Sequence, residues 1–226
     1  MDKHKNKVLE MSIARTMGNL RKNRIDVDFL PSKSDVVPMI RSIIDEGSTI
    51  ALGGSSSLSE CHVIQFIRSG PYNLIDRYEQ DLTEEAKHQR FIEAFTSDVF
   101  ITGVNAITEH GELYCIDGTS NRISAMLFGP KKVIIVAGYQ KIVPTLRDAV
   151  HRVKHIAAPA NAIRLGIDAP CVTNGYCVDQ FFDEEHLMSI TPGACDYGIC
   201  SNMVVFGRQP VKGRVSLLLV GEEIGY

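Results

Sequence analysis

The sequence predicts an α/β fold, a mostly parallel Rossmann-like sheet covered by helices on both faces. Three observations lead there. The runs TIAL, VFIT, VIIVA and VSLLLV are continuously apolar instead of alternating, the pattern of strands buried on both faces. Segments with apolar residues at helical spacing separate them. Glycine-bearing polar turns follow several of the runs, and the carboxyl ends of strands are where an open α/β sheet places its ligands. A chain of 226 residues, 44% hydrophobic, can bury a substantial core, and without a repeat or an obvious linker a single domain over residues 1–226 is the simplest division.

In chain order, Val8, Met11, Ile13, Ala14, Met17 and Leu20 make residues 5–23 an amphipathic helix. IDVDFLP reads as a short strand stopped by Pro31. A helix is expected from Ser34 through Ile40, Ile43 and Ile44 to Gly47, with Pro38 tolerated near its first turn. The strand at 49–52 runs into Gly53, Gly54, Ser55, Ser56 and Ser57, and Ser57 with Glu60 matches a capping box opening a helix over 58–68. Glycines that admit close approach, serine hydroxyls and a helix start form a generic anion cradle; the same residues also serve a plain turn and cap. A strand at 73–76 and a helix over 83–95 follow, the latter burying Ala86, Phe91, Ala94 and Phe95.

Residues 99–136, VFITGVNAITEHGELYCIDGTSNRISAMLFGPKKVIIV, read as strand, hairpin, glycine loop, helix, strand. Lys141 stands on the loop after the last of these. Pro144 suits the first position of a helix carrying Leu146, Ala149, Val150 and Val153, and PANAIRLG gives another short one. Residues 170–202 change to cysteine, glycine and acidic residues, an irregular cysteine-bearing excursion near the C-terminus, before RVSLLLVGE supplies the final strand.

Composition narrows function. With 24 basic and 27 acidic residues the net charge is -3, and no long basic run offers a footprint for nucleic acid. No apolar run spans a membrane and the start MDKHKNKVLE is charged where a secretory leader is apolar, so a cytoplasmic location is expected. No Gly-x-Gly-x-x-Gly motif occurs, so no nucleotide cofactor is predicted.

Two constellations carry chemistry. Gly53, Gly54, Ser55, Ser56, Ser57, Gly103, Gly118, Thr119, Asn121, Arg122 and Lys141 are the candidates for holding a small anionic metabolite, with Arg122 able to grip a carboxylate or phosphate in two prongs and Lys141 adding charge. Two helix starts would face one ligand. Solvated side chains, or an ion pair of Arg122 with Asp117 or Glu109, are the plainer reading. Asp117, Asn105, Glu109 and Glu60 are the catalytic candidates, Asp117 first because it adjoins the second loop; each also has a structural reading as turn former, hairpin tip or cap partner. The second constellation is Cys171, Cys177, Cys195 and Cys200, spaced C-x5-C-x17-C-x4-C. Four thiolates from one loop would hold zinc or an iron-sulfur cluster, the alternative being buried or free thiols. Cys61 and Cys115 read as core.

The long central stretch, with GGSSSLSE before it, PC and GYC after it and LLLVGEEIGY at the close, resembles the lactate-utilisation (LUD) domain family, and within it LutC/YkgG-like proteins. That resemblance covers nearly the whole chain from about residue 10. It implies the fold of the sugar-phosphate isomerases and coenzyme A transferases (NagB/RpiA-like), and an accessory role in oxidising L-lactate to pyruvate with iron-sulfur oxidoreductase subunits as partners; an oligomer is compatible with it. The alternatives are a stand-alone isomerase, ligase or acyl or coenzyme A transferase on a small anionic metabolite, and a ligand-sensing domain without chemistry. The central stretch is also similar to the GAD...NGD...NKIGT region of the methylthioribose-phosphate isomerase and initiation-factor-2B group, but Asn105 stands where those have an acid. An amide does not shuttle protons at neutral pH, which counts against aldose-ketose isomerisation unless Asp117, Glu109 or Glu60 supplies the acid-base work. Against the cysteine pattern of many relatives, Gln180 replaces the third cysteine and residues 181–194 look like an insertion.

Overall fold

The computed structural model describes residues 2–179, 195–196 and 199–226. In chain order the elements are α1 (Lys3–Lys22), β1 (Asp26–Leu30), α2 (Val36–Ile43), β2 (Thr49–Leu52), α3 (Ser56–Glu60), α4 (Val63–Ser69), β3 (Asn73–Ile75), α5 (Glu84–Glu93), β4 (Val99–Thr102), β5 (Ala106–Thr108), β6 (Leu113–Asp117) and α6 (Asn121–Leu127). They continue with β7 (Lys132–Gly138), β8 (Ile142–Val143), α7 (Leu146–Arg152), α8 (Ala158–Leu165), α9 (Pro170–Asn174), β9 (Asn202–Phe206) and β10 (Val215–Val220).

The main sheet has six strands in the order β1-β10-β7-β4-β2-β3, and every pairing in it is parallel. Continuous apolar runs form its centre because both faces are covered. Val133, Ile135, Leu217 and Leu219 join Leu20 of α1 and Ile123 and Met126 of α6 in one cluster, while Ile134, Val136, Leu218 and Val220 pack with Ile40, Leu58 and Ile67 of the opposite helices. Adjacent residues of one strand thus serve two cores. In a parallel sheet all carboxyl ends share one edge, so the turns after β2, β4 and β7 emerge side by side.

A second, four-stranded sheet, β8-β5-β6-β9, stands beyond that edge. The β5 and β6 hairpin is antiparallel, β8 joins β5 in parallel, and β9 closes along β6 from Leu113↔Phe206 to Asp117↔Asn202. Its face packs Tyr114 and Ile116 against Ala149, Val150 and Val153. Sequence periodicity predicted the hairpin but not the sheet, because strands of two or three residues are too short to show a period.

Three expectations are corrected. Residues 58–68 are not one helix: α3 and α4 are separate, with His62 left-handed at φ 57 between them. The break re-aims the chain so that Leu58, Cys61, Val63 and Ile67 all bury in one cluster, which outweighs the cost of about 1 kcal/mol for a left-handed non-glycine residue. The helix expected from Pro144 begins at Leu146 under a capping box of Thr145 and Asp148, the hydroxyl and carboxylate reciprocally satisfying free amides. The excursion over 170–202 is not wholly irregular, since Pro170–Asn174 is helical and Asn202 opens β9. Gln180 and the insertion expected at 181–194 lie outside the described residues.

Ile134 is fully buried in the middle of the main sheet. Ile134→Ala is therefore expected to lower the unfolding free energy by about 2–5 kcal/mol, whereas Val211→Ala at an exposed loop position should stay within about 0.5 kcal/mol; urea titrations of both variants check the contrast.

Candidate functional site

The turn after β2 and the turn after β4 lie against each other. A side chain at Gly53 would overlap Thr102, and one at Gly103 would overlap Ser55 Oγ, so glycine at both positions is what lets the two backbones touch. The third turn is tied to them by Arg122. Its Nη1 donates to Gly103 O at 3.1 Å, its Nη2 to Asn105 Oδ1 at 3.0 Å and to Ile116 O at 2.6 Å, and its Nε stands 3.4 Å from Asp117 Oδ2. Asp117 Oδ1 also accepts from Ser120 N, closing the turn that starts α6. Asn105 is a second hub: its Oδ1 accepts from Ile116 N as well, and its carbonyl accepts from Arg152 Nη1 at 2.7 Å.

The result is a cavity of about 250 Å³. Of the predicted site residues it gathers Gly54, Ser55, Ser56, Gly103, Asn105, Asp117, Gly118, Thr119, Asn121, Arg122 and Lys141. Gly53 lies behind the lining as the packing contact just described. The helices opening here have five and seven residues, too short for a dipole to carry the site, so attraction for an anion rests on side chains and turn amides.

Four predicted roles change on inspection. Ser57 and Glu60 make no capping box: Ser57 Oγ donates to Ile224 O at 3.3 Å and accepts from Lys141 Nζ at 3.1 Å, and Glu60 Oε1 accepts from Gly225 N at 3.1 Å. Both hold the segment after β10 and neither lines the cavity. Glu109 is likewise outside it, accepting from Ser12 Oγ at 2.6 Å and Arg15 Nε at 2.8 Å; the Ser12 hydrogen bond and the Arg15 charge lower its carboxyl pKa. It docks the hairpin tip on α1. Arg122 keeps its donors largely for protein carbonyls, so it frames the cavity more than it offers a free prong.

Lys141 is the largest correction. Expected on an open loop, it is 3% exposed, its Nζ donating to Ser57 Oγ at 3.1 Å and to Val104 O at 3.2 Å. Burial, then the charges of Arg152 and Arg122, bring its pKa down to about 7. Among the described residues no carboxylate stands within ion-pair distance of it.

Sequence reasoning missed Arg77, Asn161, Arg164 and Tyr226, which complete the lining. Arg77 follows β3 with its guanidinium 4.7 Å above the Phe91 ring, and among the described residues neither its buried Nε nor the buried Ser56 Oγ has a hydrogen-bond partner. Arg164 Nε donates to Tyr226 Oη at 2.5 Å and Nη2 to Asn161 Oδ1 at 2.7 Å. Position after a strand was a usable signal for Arg77, and the Asn-x-x-Arg spacing on a helix for Asn161 and Arg164. Among the described residues the lining brings four basic side chains, Arg77, Arg122, Lys141 and Arg164, against one carboxylate side chain, Asp117.

Cys171, Cys177, Cys195 and Cys200 all line a second, small cavity of about 40 Å³ with apolar walls, and Cys200 borders the first as well. Burial raises the thiol pKa of Cys171 and Cys177, and that of Cys200 to about 12. Thiols have the right chemistry for zinc or an iron-sulfur cluster. Among the described residues no three His, Cys, Asp or Glu side chains gather into a group that could hold a metal ion. Cys61 and Cys115 are buried in the core. No described helix is long and apolar enough to cross a membrane.

Among solved structures the chain is similar to a DUF162 family protein from Deinococcus radiodurans, at 12% identity and a TM-score of 0.52 over 94% of this chain and 97% of that one, which is a likeness of fold. Partial matches reach eIF2B beta and eIF2B delta from Chaetomium thermophilum, at 13% and 18% identity and TM-scores of 0.37 and 0.35, each over 50% of this chain and 43% and 48% of theirs. A search of curated proteins gives no significant match. The LUD domain profile matches residues 13–201, the greater part of the sequence and nearly all of the elements that build the cavity, and the chain belongs to the LUD domain family.

Proposed function

We propose that the protein is a LutC/YkgG-like accessory component of the oxidation of L-lactate to pyruvate, working with iron-sulfur partner proteins, and that the cavity at the sheet edge holds a small carboxylate. Family membership supports the pathway. The convergence of the Gly54–Ser56 and Asp117–Arg122 turns around a lining rich in basic groups supports the ligand class. The carrying observation is Arg77, a guanidinium at the cavity wall that stacks on Tyr78 and Phe91 and, among the described residues, has no carboxylate partner. A carboxylate ligand would supply the charge-assisted bonds that this guanidinium lacks. A stand-alone enzyme on a small anionic metabolite is the second reading, favoured by the buried Lys141.

Titration calorimetry with L-lactate and with pyruvate is the test. Binding of either is expected, and Arg77→Ala should weaken it about 10- to 100-fold, the size of a hydrogen bond to a charged group. If neither acid binds, or if the variant binds as tightly as the parent, the carboxylate assignment is wrong.

The cysteine cavity is the place where this reading would seat zinc or an iron-sulfur cluster, after the four thiols had closed on it and lost their protons. Anaerobically purified protein should then carry metal, with visible absorbance for a cluster, and Cys171→Ser with Cys200→Ser should abolish both. Metal-free, colourless protein from an anaerobic preparation would remove the cofactor from the account.

A further inference from the structure

Lys141 supplies a chemistry that the binding reading does not use. Ser57 Oγ has one hydrogen, and it goes to Ile224 O; the hydroxyl therefore faces Lys141 as an acceptor. Val104 O can only accept. A neutral amine has two hydrogens and one lone pair, so these two bonds use both hydrogens and leave the lone pair as the remaining position on the nitrogen of a residue that lines the cavity. An ammonium in the same place would carry a buried charge with no carboxylate within ion-pair distance among the described residues and with Arg122 and Arg152 nearby, an arrangement that favours the neutral form. Both bonds are open to the neutral amine, and burial without a carboxylate partner among the described residues favours that form beside the cavity.

We propose that Lys141 captures the carbonyl of a 2-oxo acid bound in this cavity as an imine. The nitrogen lone pair forms a C–N bond to C2 while the C=O π bond opens and one N–H proton passes to the oxygen. The carbinolamine then loses its hydroxyl together with the remaining N–H proton as water while the nitrogen lone pair forms the C=N bond, so amine and ketone become imine and water with no change of oxidation level. This rests on the carboxylate reading for the choice of substrate; the amine itself rests on Ser57, Val104 and Ile224.

The experiment incubates the intact protein with pyruvate and sodium cyanoborohydride, digests it, and locates the reduced adduct by peptide mass spectrometry. A parallel arm replaces pyruvate with acetaldehyde, a carbonyl without a carboxylate. Lys141 is expected to be labelled by pyruvate about tenfold or more faster than exposed lysines at pH 7, with the rate rising as pH passes through about 7. Lys141→Arg should lose that label while its circular dichroism and melting temperature stay those of a folded protein. Labelling of Lys141 by acetaldehyde but not by pyruvate would keep the reactive amine and place the failure in the carboxylate reading. Pyruvate that binds in calorimetry yet leaves Lys141 unlabelled, or label spread evenly over surface lysines in both arms, overturns the imine.

Discussion

The cavity depends first on one guanidinium. Parallel strands bring the turns after β2, β4 and β7 to one edge, but strand order alone does not make them face each other. Arg122 ties the turn after β4 to the end of β6 by reaching from α6 to Gly103 O, Asn105 Oδ1 and Ile116 O while standing beside Asp117. Its planar fork suits several fixed acceptors at once, and charge-assisted bonds at a side chain only 11% exposed are little screened. Arg152 repeats the device from α7, donating to Asn105 O and Gln140 O. Asn105 is therefore gripped from two sides, and its side-chain oxygen, already accepting from Ile116 N and Arg122, acts as a strut between β6 and the turn after β4. An amide serves that purpose without adding a proton equilibrium to the centre of the site.

The segment after β10 is the second constraint. Ile224 and Gly225 are held by Ser57, Glu60 and Gln140, and this brings Tyr226 to the mouth, where it joins Asn161 and Arg164. The main sheet and the α7 to α8 region thus share one wall. The basic residues differ in their partners: Arg122 and Arg152 give their donors mainly to backbone carbonyls and Asn105, whereas the Arg77 Nε has no hydrogen-bond partner among the described residues.

Much of this was legible in the sequence wherever the signal was local. The runs TIAL, VFIT, VIIVA and VSLLLV announced the parallel core because burial on both faces leaves no polar alternation, and the loops ending in Ser56, Asn105 and Arg122 announced the site because they follow strands. What was not legible is decided by partners far away in the chain. Ser57 and Glu60 fit the capping-box pattern, yet they answer to Ile224 and Gly225. Glu109 looked like a catalytic hairpin carboxylate, and α1 claims it through Ser12 and Arg15. The strand NMVVF gained its identity only by pairing with β6. Tertiary partners, each stronger than a local preference worth about 1 kcal/mol, settle such positions.

Lys141 shows how the same framework assigns a proton. Three basic groups converge at the cavity: burial disfavours the charge of Lys141 and of Arg152, and the charges of Arg152 and Arg122 act further on Lys141. Arginine holds its proton because the guanidinium delocalises the charge and its ordinary pKa exceeds about 12. Arg122 and Arg152 moreover donate to carbonyls that would be orphaned if either side chain withdrew. Lysine has the lower pKa and only two acceptors here, Ser57 Oγ and Val104 O, both of which a neutral amine satisfies as well as an ammonium does. Lys141 is therefore the group whose pKa falls, to about 7. Burial first, and then the charges of the arginines that hold the turns together, lower the pKa of Lys141, so the packing that builds this edge of the sheet also tunes its lysine.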